Sequence, residues 1–366
     1  MNLSQRDVRS GSNDLQTFLD GRLRRSLERQ TRRRSPRLPA PQVLVEAPGV
    51  RFSHGDIDQP FHTASAGKNF LAVLIARFIE RGDLSIDSPL GDALPTADLA
   101  QLLAADGVDV AREVTIEDLL SHRSGLPDPF LPPRGHRTAC SLKALAADPT
   151  TTWTPRSVLA ETSDLPPRGR PGARFHYSDA GYALLTLVAE EVGGAPLGEV
   201  LHTGLFAPAR MPHTHLLDPS SPDPRLAAMW LGGTEVSGAP ALSIGSIDGG
   251  AVTTAADLVA FQRALHGGQL ISPELLAELV RPRSRMRPGI HYGAGFVTLR
   301  FGGFMPVVLR GLPEPVGGLG LSAVHAFYYA EQDAHVVLNF HDTRAMSASF
   351  QTHIAIARAL ARTMSR

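Results

Sequence analysis

Leu15, Phe18, Leu19, Leu23 and Leu27 recur at helical intervals and predict an amphipathic helix over residues 15–30. Two β-rich runs flank Pro48-Gly49 in "QVLVEAPGVRFSHG", the pattern of a hairpin. Over 66–81 the apolar positions Phe70, Leu71, Val73, Leu74, Ile75, Phe78 and Ile79 cover most of a helical circumference. Such a helix is enclosed rather than half-exposed, and Gly82 closes it. Residues 83–245 are rich in Pro and Gly, with helical pieces expected at 115–121, 156–162 and 180–202. Beyond 250, "TTAADLVAFQRALHGG" reads as a helix with a threonine cap and a glycine stop, and "SPELLAELV" as another with Pro273 in its first turn. Strands are expected at 292–299, 305–310, 322–330 and 335–341, a meander that implies an antiparallel sheet. "SASFQTHIAIARALARTM" ends the chain as an amphipathic helix. The fold class expected is α/β (α+β). An antiparallel sheet flanked by helices is formed by 1–85 and 246–366, a mainly helical domain is inserted at 86–245, and a site lies between them.

Composition narrows the classes. The chain has 366 residues, 43% hydrophobic and 20% charged, as in a globular protein rather than a disordered one. A net charge of zero gives no general attraction to nucleic acid or anionic membrane. The basic run "RQTRRRSPR" has no interleaved aromatics and is best read as a solvated helix end. One cysteine, Cys140, rules out an internal disulfide. Neither a metal nor a cofactor is expected. The first twenty residues lack a basic start followed by an apolar stretch, and no apolar run suggests a membrane span, so a cytoplasmic protein is expected.

Lysine usage points to chemistry. Lys and Arg total 36, yet only Lys68 and Lys143 are lysines. Ser65 and Lys68 are one helical turn apart, on one face. A serine hydroxyl needs a neighbouring base to become a nucleophile. Lysine can be that neighbour once burial lowers its pKa, whereas arginine stays charged. Ser65 also falls at a helix N-terminus, where backbone N–H groups can hold an oxyanion. Against 26 serines the spacing alone is a weak signal, and a structural ion pair is the alternative reading. Tyr177-Ser178-Asp179 stands just before another apolar helix. A tyrosine near an ammonium group loses its proton more easily and can act as general base. Alternatively Tyr177 is a packed loop aromatic and Asp179 a helix N-cap.

These segments in this order resemble the serine β-lactamase-like family, with its class C β-lactamases, penicillin-binding DD-peptidases and carboxylesterase relatives. The resemblance runs through "ASAGKNFLAVLIARFIERGDLSIDSPL", "VTIEDLLSHRSGLPD", "YSDAGYALLTLVAEEVGGAPLGEVLHTGLFAPARMPHT" and "GGAVTTAADLVAFQRALHGG", and it covers roughly residues 43–363. It implies Ser65 as the acylated nucleophile, Lys68 as its proton-sharing partner and Tyr177 as general base. The family's third motif, Lys-Thr-Gly or His-x-Gly on an inner strand, aligns with Gly318-Leu319-Gly320. The N–H groups of Ser65 and Leu321 would then form the oxyanion hole. Losing one such donor costs about 2.7–4 kcal/mol in other acyl-transfer enzymes.

Two departures bear on substrate. Gly318 replaces the cation that binds a substrate carboxylate, a charge-assisted bond worth about 1.5–3 kcal/mol. Asp179 replaces an asparagine, and a carboxylate cannot donate to a substrate amide unless protonated. Both favour a carboxylesterase acting through an acyl-enzyme on small neutral esters. The alternatives are acyl transfer, cleavage of an amide, β-lactam or D-amino-acid peptide, and a non-catalytic scaffold. His325 is an odd number of positions from Gly318 and should face away from it; Arg310 lies in a loop. Cys140-Ser141-Leu142-Lys143 is read as incidental, His213 and His215 as surface residues, and His122 as a packing residue. The loops 126–134 and 163–174 are expected to border the pocket.

Overall fold

The computed structural model describes residues 5–364, apart from 96–98, 100, 101, 103–108, 149, 219, 222, 238, 239 and 244–246. The two β-rich runs build the hairpin first. Strands β1 (Gln42–Ala47) and β2 (Val50–His54) pair antiparallel about Gly49, whose φ of 72° suits a residue without Cβ. Six later strands complete the sheet: β3 (Ser284–Arg287), β4 (Ile290–Tyr292), β5 (Val297–Leu299), β6 (Val316–Gly320), β7 (Val324–Tyr329) and β8 (Ala334–Asn339). Their order is β2-β1-β8-β7-β6-β5-β4-β3, with every neighbouring pair antiparallel.

Helices cover both faces. On one, Val43 and Val45 share a core with Leu15, Leu19, Leu23 and Leu27 and with Ile356 and Leu360 of the C-terminal helix Met346–Met364. Leu44, one position along β1, points the other way into the core built around the helix Lys68–Arg81. The N-terminal helix runs Gln5–Arg33 and contains one π-turn, Leu19–Leu23. Lys68–Arg81 buries ten of its residues, which matches its all-round apolar pattern, and Gly82 ends it in the left-handed region at φ 82°. Against it pack Ala255–His266, capped by the Thr254 side chain, and Asp179–Gly193.

Several expected elements differ. Residues 305–310 form turns rather than a strand, with Met305, Val307 and Val308 exposed. Gly302, Gly303 and Gly311 break the run, and Pro306 lacks the N–H a ladder requires. The strand beside β7 is instead β6, a Gly-rich sequence whose alternation is too thin to signal a strand. The stretch 292–299 is two strands joined at 293–296. At its bend, a Cβ on Gly295 would meet Ala72 at 2.2 Å. The helix expected over 180–202 breaks at Gly194, φ 68°, and resumes as Leu197–Leu201 after Pro196.

Candidate active site

Ser65 lies on a short 3-10 turn, Ala64–Gly67, that feeds directly into the helix at Lys68. Ala64 carries φ 48°, rare for a residue with a side chain, and its N–H bonds to His62 Nδ1 at 3.0 Å. Such outliers persist only where the surroundings over-determine them, and they cluster at functional sites. Here the surroundings are explicit. Thr63 donates its N–H to the Ala251 carbonyl at 2.9 Å, and Ala251 returns its own to Thr63 Oγ1 at 2.9 Å. Gly67 lies so close to the same loop that a Cβ would stand 2.4 Å from the Gly249 carbonyl.

Lys68 is 1% exposed, with Nζ 3.5 Å from Ser65 Oγ. Asp179 Oδ1 approaches Nζ to 2.5 Å and Asp248 Oδ2 is bonded to it. The rings of Tyr177 and Tyr182 lie 5.3 Å and 5.0 Å from Nζ. Burial by itself pushes this ammonium down, but Asp179 and Asp248 outweigh it and hold the amine well above the usual lysine range. The expectation that burial frees the amine is not met, because its neighbours are acids. Tyr177 is likewise raised: burial and Asp179 disfavour its phenolate more than Lys68 favours it.

The strand end beside this turn has glycines for a reason of space. A Cβ on Gly318 would fall 2.6 Å from Asn69 Oδ1 and 3.0 Å from Ala66 Cα, and one on Gly320 would fall 2.3 Å from the Thr63 carbonyl. Asn69 is fixed by donating to the Gly295 carbonyl at 2.6 Å. Leu321 follows immediately and packs beside the small core containing Ala64. Ser65, Lys68, Tyr177 and Asp179 thus meet at one place, with Gly318, Gly320 and Leu321 alongside.

Ser178, not Asp179, occupies the N-cap position of the helix, and its hydroxyl donates to the Pro127 carbonyl at 2.7 Å. Asp179 is left free to face Lys68, and burial raises its carboxyl despite the ammonium. Asp128, buried on the neighbouring loop, is pushed up to about 8 by burial and by Asp179. His122, at φ 55°, stacks 4.1 Å from the Tyr177 ring and accepts the Ser178 N–H at 3.3 Å. Burial and Lys68 keep it neutral, far below the ordinary histidine range. The loops after His122 and before Tyr177 are joined by Arg168 N–H to Gly125 at 2.8 Å and Gly172 N–H to Arg123 at 2.9 Å.

Other candidates lie elsewhere. His325 faces the terminal helices, bonded to His353 at 3.0 Å and Ser349 at 2.8 Å, so it cannot replace the missing cation. Arg310 is exposed beside Gly302. Cys140 is buried, its thiol pushed up to about 12, and Ser141 caps the helix Leu142–Ala147. His213 and His215 are exposed, and the described residues hold no group of three or more His, Cys, Asp or Glu placed for a metal.

Asp248 is the residue that sequence reasoning missed. It stands immediately before "GGAVTTAADLVAFQRALHGG", so an acid beside a matched segment was the available signal.

With this geometry established, similarity to known proteins is informative. The sequence model of the beta-lactamase family matches residues 43–360. The chain belongs to that family. Penicillin-binding protein 4 of Amycolatopsis lactamdurans is 27% identical over 238 residues, covering 63% of this chain and 56% of its own. The matched stretch thus spans little more than half of that relative. EstCE1, a hydrolase with promiscuous acyltransferase activity, superposes with TM-score 0.73 at 19% identity, covering 96% of this chain and 100% of its own. A D-stereospecific amidohydrolase from Streptomyces sp. gives TM-score 0.71 at 21% identity, over 91% and 94%. These two likenesses show the beta-lactamase fold. Among the described residues no helix is long and apolar enough to cross a membrane.

Proposed function

We propose that this chain is a serine hydrolase that forms an ester on Ser65 and acts most readily on small neutral carboxylic esters. Ser65 Oγ attacks the acyl carbon, and its proton passes by way of Tyr177 and Lys68 to the departing alkoxide. Ser65 and Leu321 hold the developing oxyanion through their N–H groups. One observation carries the choice of substrate. The charged side chains that face Lys68 are Asp179 and Asp248, both acids, and Gly318 has no side chain to offer a cation. A substrate carboxylate would enter without a partner and beside like charge, whereas a neutral ester would not.

The test compares turnover of p-nitrophenyl butyrate, nitrocefin and an amino-acid p-nitroanilide, followed by addition of amine acceptors. Faster turnover of the ester is the expected result. Faster nitrocefin or anilide turnover overturns the ester assignment, and product partitioning to an amine would identify a transacylase. Intact mass after fluorophosphonate treatment decides the nucleophile: a single adduct is expected, absent in Ser65→Ala. No adduct on the wild type would favour a scaffold without catalysis.

A further inference from the structure

Asp248 is placed with more care than a chance neighbour requires. Its Oδ1 accepts the Gly250 N–H at 3.2 Å, which leaves Oδ2 for Lys68. On one side, the Ile247 carbonyl accepts Thr186 Oγ1 at 2.5 Å. On the other, Ala251 is bonded twice to Thr63, two residues before the serine. Gly249 and Gly250 press against Gly67, where any side chain would force the loop away. The loop is therefore fastened to the serine turn, and its carboxylate is aimed at Nζ.

We propose that Asp248 is a positioning residue: it fastens the Lys68 amine as an ammonium ion beside Ser65 and, with Asp179, decides whether that amine is free to accept a proton.

Every ionisable group packed around Lys68 enters this balance. Asp179, Tyr177 and Tyr182 come from the helix Asp179–Gly193 and its lead-in, Tyr292 from β4, His122 from the preceding loop, and Asp248 from the fastened loop. Asp128 stands behind Asp179. The tyrosines and His122 are held neutral, so two carboxylates share one ammonium. Opposite charges this close favour the charged form, so Asp179 and Asp248 together hold the amine protonated against burial.

The consequence for turnover rests on the serine hydrolase reading; the charge placement does not. As Ser65 Oγ bonds the acyl carbon, its proton must reach an uncharged Lys68, directly or through the Tyr177 hydroxyl. Lys68 first gives one proton to the Asp179 carboxylate, leaving a neutral amine and a carboxylic acid. The amine then takes the serine proton and delivers it to the leaving oxygen as the acyl–oxygen bond breaks. Asp179 returns its proton to Lys68, which restores the starting charges with the acyl group left on Ser65. Water then attacks that ester, giving up a proton by the same route to Ser65 Oγ as the acid departs, and this closes the cycle. The bond from Asp248 Oδ2 to Nζ opposes the first transfer. Substrate that shields this carboxylate would ease that transfer.

Only two lysines are present, so protein labelled with 15N at the lysine side chains gives two Nζ signals, Lys68 and exposed Lys143. In the wild type, the Lys68 signal should stay that of an ammonium ion past the ordinary lysine value of about 10.4. In Asp248→Asn it should lose its proton at least one pH unit lower, and the rising limb of fluorophosphonate labelling should move down in step. Asp248→Ser, which keeps an acceptor for Gly250 without charge, should behave the same and serves should the asparagine variant fold poorly. An uncharged Lys68 in the wild type at pH 7 overturns the proposal, and so does an unchanged titration in both variants. A shifted titration without any labelling of Ser65 would leave Asp248 in this role and reject the hydrolase.

Discussion

Replacing Lys68 by methionine keeps the length of the side chain and removes its charge, which asks how much the two buried acids depend on it. Asp179 lies 2.5 Å from Nζ and Asp248 is bonded to the same atom; Asp179 and Asp248 are 7% and 4% exposed. Removing one partner of a buried ion pair costs about 3–5 kcal/mol, because the remaining charge is left uncompensated; a surface pair would cost about 0–1 kcal/mol. The sign with pH follows from Asp179. Burial already raises its carboxyl, Lys68 lowers it and Asp248 raises it, so loss of Lys68 sends it higher. A carboxyl whose folded pKa exceeds its unfolded value binds a proton more tightly when folded. The destabilisation should thus be smaller in acid and grow as pH rises from the raised wild-type value of Asp179 towards the still higher value it takes without Lys68. Urea unfolding of wild type and Lys68→Met at pH 5 and pH 8 measures this. The expected loss is about 3–5 kcal/mol at pH 8 and smaller at pH 5. Adding Asp179→Asn and Asp248→Asn should recover most of it. A loss below about 1 kcal/mol at pH 8, or an equal loss at both pH values, would refute the argument that these charges are mutually dependent.

Other substitutions probe the remaining parts. Lys68→Arg keeps a cation but cannot yield its proton, so near-native unfolding with fluorophosphonate labelling slowed at least about a hundredfold is expected; labelling at the wild-type rate would remove the amine from the chemistry. Tyr177→Phe should slow acylation by about a hundredfold or more, read as single-turnover ester cleavage, while the His122 stacking surface persists. Gly318→Ala places a Cβ 2.6 Å from Asn69 Oδ1. The expected result is about 1–3 kcal/mol lost to overpacking and a fall in acylation as the strand end leaves the serine turn. A variant with unchanged melting and labelling would contradict the tight packing described here.

Much of the architecture is legible because burial is periodic. The all-round apolar surface of Lys68–Arg81 announced a central helix, and the β-rich runs around Pro48-Gly49 announced a hairpin. The glycine at 82 and the threonine at 254 marked helix ends, since capping depends on a few adjacent backbone groups. Ser65 and Lys68 could be paired from sequence because one helical turn fixes their separation. Strand β6 gives no periodic signal of its own and is placed in the sequence only by resemblance to the family's third motif. Its glycines are dictated by Ala66, Asn69 and Thr63, residues about 250 positions away, and they erase the pattern that marks a strand.

The charge state of the site was beyond any local rule. A lysine between apolar residues suggests an amine ready to lose its proton. The fold reverses this by bringing Asp179 from one helix and Asp248 from a loop 180 residues distant onto the same nitrogen. Sequence by itself determined which side chains were present and which of them a helix or strand would bury. Tertiary structure alone decided which charges meet, because electrostatic energy depends on distance in space and on exclusion of water.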